Sequence, residues 1–225
     1  MVLDSAKARK RIENLEDLPT LPTVASEIIR MASDPRISAS DVGELIGHDQ
    51  ALTAKVLKIV NSSFYGFPQR IKTINHAIVI LGFNKVKNVV LGASVFDMAK
   101  GHSSTLLDFA GFWEHSLGVA IAASVAAKSV KNQSLTPDDA FVGGLLHDIG
   151  KVICWLVLKE DYEQVLAAAK ERGGLLRDVE KEMLGFPHCQ VGIWLAEKWK
   201  LPPPLVAAVR YHHVPGTARQ FAEMA

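Results

Sequence analysis

The stretch Leu145-Leu146-His147-Asp148-Ile149-Gly150-Lys151 decides how this sequence is interpreted. Imidazole and carboxylate groups are ligands for Zn, Mn or Fe, and a carboxylate can bridge two ions. Adjacent side chains at the end of a helix diverge by about 100°. We therefore expect Asp148 to bridge two ions rather than to share one symmetrically with His147. Gly150 allows the backbone to turn beside the pair, and Lys151 can place an ammonium group near a phosphate oxygen.

The segments around this stretch predict an all-α protein. Apolar residues recur at helical spacing nearly everywhere, and runs of strict alternation are absent. Thr136-Pro137-Asp138-Asp139 combines a cap residue, a proline at the first helical position and two acids at the positive end of the helix dipole. Residues 152–158 are apolar enough for a strand, but without a partner strand a helix is favoured. Further helices are predicted at about 107–130, 160–172, 176–184, 188–198 and 204–212.

A polar segment of small residues at 101–105 is the best candidate for a boundary within the chain. Placing the join near residue 103 gives an N-terminal helical subdomain, residues 1–103, with four or five short helices. Residues 104–225 then form a helical bundle that contains the His-Asp pair. We expect the two parts to form one functional unit.

Composition excludes several classes of protein. The 25 Lys and Arg residues nearly balance 24 Asp and Glu residues, so no global field favours nucleic acid or an anionic membrane as a partner. The longest strongly apolar stretch, residues 117–127, is too short to span a bilayer, and the first residues lack a secretory signal. Cys154 and Cys189 are typical of two thiols in a reducing compartment. These features predict a cytoplasmic protein with no membrane and no nucleic-acid partner.

Other histidines strengthen the metal interpretation. His115 is in line with the small residues Gly118, Ala122 and Ala126, so we expect it to face inward, and His188 shares a face with three apolar residues, Val191, Leu195 and Trp199. One inward histidine is usually a hydrogen-bonded core residue. The combination of two of them with adjacent His-Asp and His-His pairs favours a metal site instead. The candidate ligands are His115, His147, Asp148, His188, His212 and His213.

A second His-Asp dipeptide, His48-Asp49, lies in the first half of the chain. Asp49 is fully explained as the cap of the helix that follows it. His76 and His102 have no neighbours of ligand type. We expect none of these residues to bind a metal.

The quoted stretch is similar to the signature of the HD superfamily of metal-dependent phosphohydrolases. A larger pattern, over roughly residues 17–215, resembles the HDOD family. The resemblance implies an HD-domain-like helical bundle preceded by a smaller N-terminal helical subdomain. The motifs that carry it are Leu18-Pro19-Thr20-Leu21-Pro22, Asn61-Ser62-Ser63, Tyr65-Gly66, residues 77–82, Trp113-Glu114-His115-Ser116, residues 185–188, residues 199–202 and His212-His213.

The resemblance also implies roles for single residues. His115 corresponds to the first metal histidine, His147-Asp148 to the central pair, and His188 with His212-His213 to the later histidines of a divalent-metal site for Fe, Mn or Zn. Lys151 matches the lysine that closes the family's His-Asp-Ile-Gly-Lys motif.

Two features of the related enzymes are missing. In the HD-GYP cyclic-di-GMP phosphodiesterases, an acidic residue and a Gly-Tyr-Pro motif follow the paired histidines. In this chain the paired histidines are followed instead by Val214-Pro215-Gly216-Thr217. HD enzymes also use a last aspartate further downstream, and none follows His213. Either that ligand lies beyond Ala225 or it has been lost.

Two functions remain open on this basis. The favoured one is a regulatory output domain of bacterial signal transduction. It would act through a signalling protein partner, with the first half as partner surface and the HD-type metal site vestigial or structural. The alternative is a metal-dependent phosphohydrolase or phosphodiesterase with a cyclic or other nucleotide as ligand, in which Asp148 and Lys151 are the catalytic candidates.

Overall fold

The computed structural model describes residues 10–12, 19, 21–31, 36–62, 65–98, 104, 106–129 and 136–218. All regular structure in these ranges is helical, which confirms the predicted all-α fold. The first helices are α1 Thr23–Met31, α2 Ala39–Gly47, α3 Gln50–Val60, α4 Ile74–Leu81 and α5 Phe83–Met98. They are followed by α6 Phe109–Ala127, α7 Pro137–Leu146, α8 Ile149–Leu158, α9 Glu160–Arg172, α10 Leu176–Leu184, α11 His188–Lys198, α12 Pro203–Tyr211 and a 3-10 turn at Pro215–Thr217.

The chain divides into two compact units, one at Leu21–Lys100 and one that joins Met1–Thr20 to Gly101–Ala225. This division differs from the boundary predicted near residue 103, because residues 1–20 belong to the same unit as residues 101–225. The difference has a physical reason in the described part of that segment. The Arg11 guanidinium donates to the Val157 carbonyl and pairs with Asp161 at 3.3 Å, and the Trp199 indole donates to the Pro19 carbonyl at 2.9 Å.

The first unit is built from short, well-capped helices. Ser38 and Asp41 form a capping box, and the Asp49 carboxylate accepts from the Leu52 amide, as expected of a cap. The Asn61 side chain ends α3 and bonds both backbone polar groups of Ile71 at 2.8 Å. These polar contacts position the ends of helices whose inner faces form an aliphatic core.

Two glycines allow the helices of the second unit to approach closely. A Cβ on Gly144 would lie 2.7 Å from the Cα atom of Ala120, where α7 crosses α6. A Cβ on Gly150 would lie 1.9 Å from the His188 carbonyl oxygen, where α8 meets α11. The expected role of Gly150 in a backbone turn is therefore wrong, because Gly150 lies within α8 and its missing side chain is what permits the contact.

By length and composition alone, the segment Pro137–Leu158 could span a membrane. The structure interrupts them at His147-Asp148, between α7 and α8. Most of the segment is buried within the protein. This arrangement is typical of core helices.

Candidate metal centre

The predicted ligands lie at helix ends, with one exception. His147 follows the last residue of α7, Asp148 precedes α8, and His188 is the first residue of α11. His212 follows the last residue of α12, next to His213. The exception is His115, which lies within α6. Backbone groups at helix ends are free to bond side chains, so these positions can orient imidazole rings.

The expected divergence of His147 and Asp148 is wrong. The prediction assumed one continuous helix, but α7 ends at Leu146 and α8 starts at Ile149. Asp148 takes φ −100° and ψ 7°, outside helical values. The two side chains therefore converge, and His147 Nε2 lies 3.3 Å from Asp148 Oδ2.

The Asp148 carboxylate is the centre of the cluster and only 2% exposed. Its Oδ1 atom lies 3.1 Å from His188 Nε2 and 3.4 Å from His212 Nε2. Its Oδ2 atom lies 2.6 Å from Lys151 Nζ and 3.8 Å from His115 Nε2, in addition to the contact with His147. Each carboxylate oxygen thus faces its own set of imidazoles.

These sets form two groups of potential ligands that share Asp148. The first contains Asp148, His188, His212 and His213, and the second contains His115, His147 and Asp148. Within each group one ligand atom per residue lies within 4.8 Å of the others. Nitrogen ligands around a tetrahedral zinc ion are about 3.4 Å apart, given zinc–nitrogen bonds of about 2.05 Å. His213 Nε2 lies 3.1 Å from His188 Nε2, and His115 Nε2 lies 3.3 Å from His147 Nε2, so both groups have suitable spacing.

Hydrogen bonds to the far side of three rings set their orientation. His147 Nδ1 donates to the Gly144 carbonyl at 2.7 Å, and His212 Nδ1 donates to the Val209 carbonyl at 3.0 Å. A carbonyl can only accept, so Nδ1 carries the proton and Nε2 of the neutral ring carries the lone pair. His188 Nδ1 is held by a carboxylate instead, as is common for metal ligands.

That carboxylate belongs to Glu180, a residue that the sequence interpretation missed. Glu180 is completely buried and accepts from both the His188 amide, at 2.8 Å, and His188 Nδ1, at 2.6 Å. Its other oxygen accepts from the Tyr162 hydroxyl at 2.6 Å. One signal was present in the sequence: Glu180 stands four residues before Leu184 and next to Val179, on the inward side of α10. A buried acid on such a face needs partners.

The electrostatics of the centre favour an ionised aspartate among imidazoles. Burial raises the pKa of Asp148, but the nearby rings of His147, His188 and His212 outweigh it and bring the pKa well below its usual range. Burial lowers the pKa of His188, and its contacts with Asp148 and Glu180 raise the pKa by more. Burial, assisted by His212 and His188, lowers the pKa of His213 to about 4.

Two buried polar atoms of the first group lack a hydrogen bond: Asp148 Oδ1 and His212 Nε2. The two atoms lie 3.4 Å apart, but the geometry between them is not that of a hydrogen bond. Leaving such atoms unpaired is costly unless something else binds them. Four ligand atoms with lone pairs and suitable spacing fit a divalent ion.

The prediction that His115 faces inward is wrong. Its side chain is 57% exposed. The small residues in line with it also face solvent, together with the larger apolar residues of the same helix face, Leu117, Ile121 and Val125. The small-residue stripe was assigned to a helix contact, but α7 packs on the opposite side of α6, through Ala120. His115 nevertheless approaches Asp148 from the solvent side.

The remaining described histidines, His48 and His76, belong to the first unit. His48 and His76 are exposed in the first unit, and Asp49 is engaged as a helix cap. His102 lies outside the described residues.

Comparison with known proteins agrees with this architecture. The HDOD domain model matches residues 18–215. An uncharacterized protein of Treponema pallidum (strain Nichols) is 28% identical over 201 residues, which are 89% of this chain and 38% of that protein. The chain thus spans well under half the length of this relative.

Two solved structures have similar folds. An HDOD domain protein of Geobacter sulfurreducens superposes with a TM-score of 0.83 at 29% identity, over 98% of this chain and 74% of that one. A Shewanella amazonensis SB2B protein described as a "putative phosphohydrolase" has a TM-score of 0.79 at 28% identity, over 95% of this chain and 76% of that one. The family match over most of the sequence, together with this fold, means that the chain belongs to the HDOD domain family.

Proposed function

We propose that this protein is a regulatory domain of signal transduction, acting through a protein partner, in which a divalent ion at Asp148 stabilises the helical bundle. The observation that carries the metal assignment is that two buried atoms, Asp148 Oδ1 and His212 Nε2, make no hydrogen bond. A cation between them would satisfy both.

His188, His212, His213 and Asp148 would hold the ion. A bound divalent ion supplies Lewis acidity and a fixed positive charge. The chain's own residues prepare for it: Glu180 and two backbone carbonyls hold Nδ1 protons, which keeps Nε2 directed at Asp148. Zinc, manganese and iron all suit this set of ligands.

The ion would connect three helices of the second unit. Asp148 precedes α8, His188 begins α11, and the His212-His213 pair follows α12. Occupancy would therefore change the stability of the bundle rather than of one loop. A structural ion of this kind is compatible with a regulatory role, which needs no turnover.

The partner interaction rests on HDOD membership and on the surface of the first unit. Val79 is 76% exposed on α4 beside the exposed Ile80. Large apolar side chains exposed together are often contact sites. Both cysteines are unpaired, which supports a reducing cytoplasmic location.

The test of the metal assignment is the metal content and thermal stability of the purified protein. We expect bound Zn, Mn or Fe, and a lower melting temperature after chelation that metal restores. Asp148→Asn should abolish both effects. Asp49→Asn, which changes the other His-Asp dipeptide, should leave both unchanged. A protein that takes up no metal and is indifferent to chelator would contradict the assignment.

A second candidate is a metal-dependent phosphohydrolase acting on a cyclic or other nucleotide. The exposure of His115 favours it, because solvent and a phosphate could approach Asp148 from that side. The similar Shewanella protein described as a "putative phosphohydrolase" supports the same class. Turnover of cyclic dinucleotides or nucleoside monophosphates by the metal-loaded protein, lost in Asp148→Asn and kept in Asp49→Asn, would establish it. Absence of turnover in the metal-loaded protein would leave the regulatory function.

A further inference from the structure

We infer that Lys151 limits this centre to a single divalent ion, because its ammonium group takes the place of a second cation on Asp148. The inference rests on the proposed metal centre and concerns how many ions it holds. It differs from the sequence expectation, in which Asp148 bridges two ions and Lys151 contacts a phosphate.

The ammonium group of Lys151 contacts the Asp148 carboxylate directly. Lys151 lies one helical turn after Asp148, and its Nζ atom is 2.6 Å from Asp148 Oδ2. This is a short, charge-assisted hydrogen bond. Oδ2 is also the oxygen that faces His115 and His147, the other members of the second group of potential ligands. A cation is therefore already present on that oxygen.

Hydrogen bonding separates the two oxygens in the same way. Each side has one close pair of imidazole Nε2 atoms, His115 with His147 and His188 with His213. Only on the Oδ2 side does a side chain, that of Lys151, donate a hydrogen bond to the carboxylate. On the other side, Asp148 Oδ1 and His212 Nε2 have no hydrogen bond. The two buried atoms of the centre that lack a hydrogen bond therefore both lie on the Oδ1 side.

The charges lead to the same conclusion. Among the described residues, Asp148 is the carboxylate that contacts the imidazole Nε2 atoms, and Glu180 acts through His188. Two divalent ions beside the ammonium group would place five positive charges against two negative ones. A single ion reduces that excess to one. Unbalanced charge near buried groups is strongly unfavourable.

Exposure of the ligands also favours one site over the other. His188 is buried, and His212 is 10% exposed, so their rings are held in place by packing and by Nδ1 contacts. His115 is mostly exposed. A solvent-exposed ring loses more conformational entropy when it binds an ion.

The test is the number of Mn²⁺ ions bound after chelation and titration with Mn²⁺, read by calorimetry and by electron paramagnetic resonance. The wild-type protein should bind one equivalent and give the six-line spectrum of an isolated ion. Lys151→Met, which keeps the length of the side chain without its charge, should bind two equivalents and give the broadened spectrum of a spin-coupled pair. Lys151→Arg keeps the charge and should bind one.

A matched control is Lys170→Met, which removes an exposed lysine of α9 and should leave one equivalent. Two equivalents in the wild-type protein would overturn the inference, and so would one equivalent in a folded Lys151→Met variant. If Lys151→Met does not fold, Lys151→Gln is used in its place. A wild-type protein that binds no Mn²⁺, Zn²⁺ or Fe²⁺ would instead refute the proposed metal centre itself.

Discussion

The chain contains the dipeptide His-Asp twice, and both copies occupy the same local position. His48 follows α2 and Asp49 precedes α3, just as His147 follows α7 and Asp148 precedes α8. The aspartates differ in what their carboxylates contact. Asp49 accepts from the backbone amide three residues later, that of Leu52, at 2.9 Å. Asp148 makes no such cap and contacts the Lys151 side chain, three residues later, and four imidazoles.

This difference shows that tertiary surroundings, not the dipeptide, determine the chemistry. An aspartate before a helix normally gains about 1 kcal/mol by capping it. Asp148 gives up that contact for charged and imidazole partners brought by α11 and α12. Among the described residues, no group of three potential ligands forms around Asp49. Because the two dipeptides share a local position, each serves as a control for the other.

The largest effect is expected at the glycines that flank the two dipeptides. Gly150→Ala would place a methyl group 1.9 Å from the His188 carbonyl oxygen and force α8 away from α11. We expect a loss of about 3 kcal/mol or more in the free energy of unfolding. A Cβ on Gly47, just before His48, meets nothing within 4 Å, so Gly47→Ala should stabilise the protein by roughly 0.5–1 kcal/mol. Urea denaturation measures both changes, and equal effects would contradict the close helix contact.

Removal of each carboxylate in the chelated protein should give the next largest effect. Asp148→Ala leaves Lys151 and the surrounding rings without their anion, and breaking a buried ion pair costs about 3 kcal/mol. Asp49→Ala removes only a cap and should cost about 1 kcal/mol. Thermal and urea unfolding of the two variants tests this order. A larger loss in Asp49→Ala would show that the tertiary contacts of Asp148 contribute little.

A smaller effect is expected at Glu180, which supports the centre without reaching the metal position. Glu180→Gln can still accept both donations from His188, while the Tyr162 hydroxyl turns to accept from the amide. We expect a stability loss of about 1 kcal/mol and a metal affinity lower by about 10- to 100-fold, because the His188 ring becomes less basic. Glu182→Gln on the exposed side of α10 should change neither quantity. Calorimetric metal titration of both variants checks this, and unchanged affinity in Glu180→Gln would remove its supporting role.

The smallest effect concerns the pH dependence of the metal-free protein. The pKa of His213 is lowered from 6.5 to about 4 in the folded state. Between pH 6.5 and about 4, the unfolded chain therefore binds a proton at His213 and the folded chain does not. The contribution of His213 to the free energy of unfolding is thus present above pH 6.5 and is lost as the pH falls to about 4. Wild type should lose stability relative to His213→Gln over that window. Parallel stability curves for the two chelated proteins would contradict the shift.

Much of the fold could be predicted because its signals are local. The start at Thr136-Pro137 and the helices 160–172, 176–184 and 188–198 depend on caps and periodicity within each segment, and the structure has them at the same residues. Residues 152–158, ambiguous by composition, form part of α8. The helical prediction for them is confirmed.

One error was local, because the helix break between Leu146 and Ile149 makes the His147 and Asp148 side chains converge. The other errors involve contacts between distant parts of the chain. The inward face of α6 depends on where α7 crosses it, which periodicity does not encode in a helix that is apolar nearly all round. The role of Gly150 depends on the backbone of α11, forty residues away in sequence. Glu180 is recognised only when the fold brings it to His188 and Tyr162. The six predicted ligands stay a prediction, although the structure brings them around one carboxylate.

The way in which the rings are held bears on how this centre can change during evolution. The Nδ1 atoms of His147 and His212 rest on main-chain oxygens of their own helices, which no substitution can delete. His188 alone depends on the side chain of another residue, Glu180. A single substitution at position 180 can therefore weaken metal binding without altering any ligand. We expect a family member that keeps every histidine but lacks an acid at that position to bind metal more weakly.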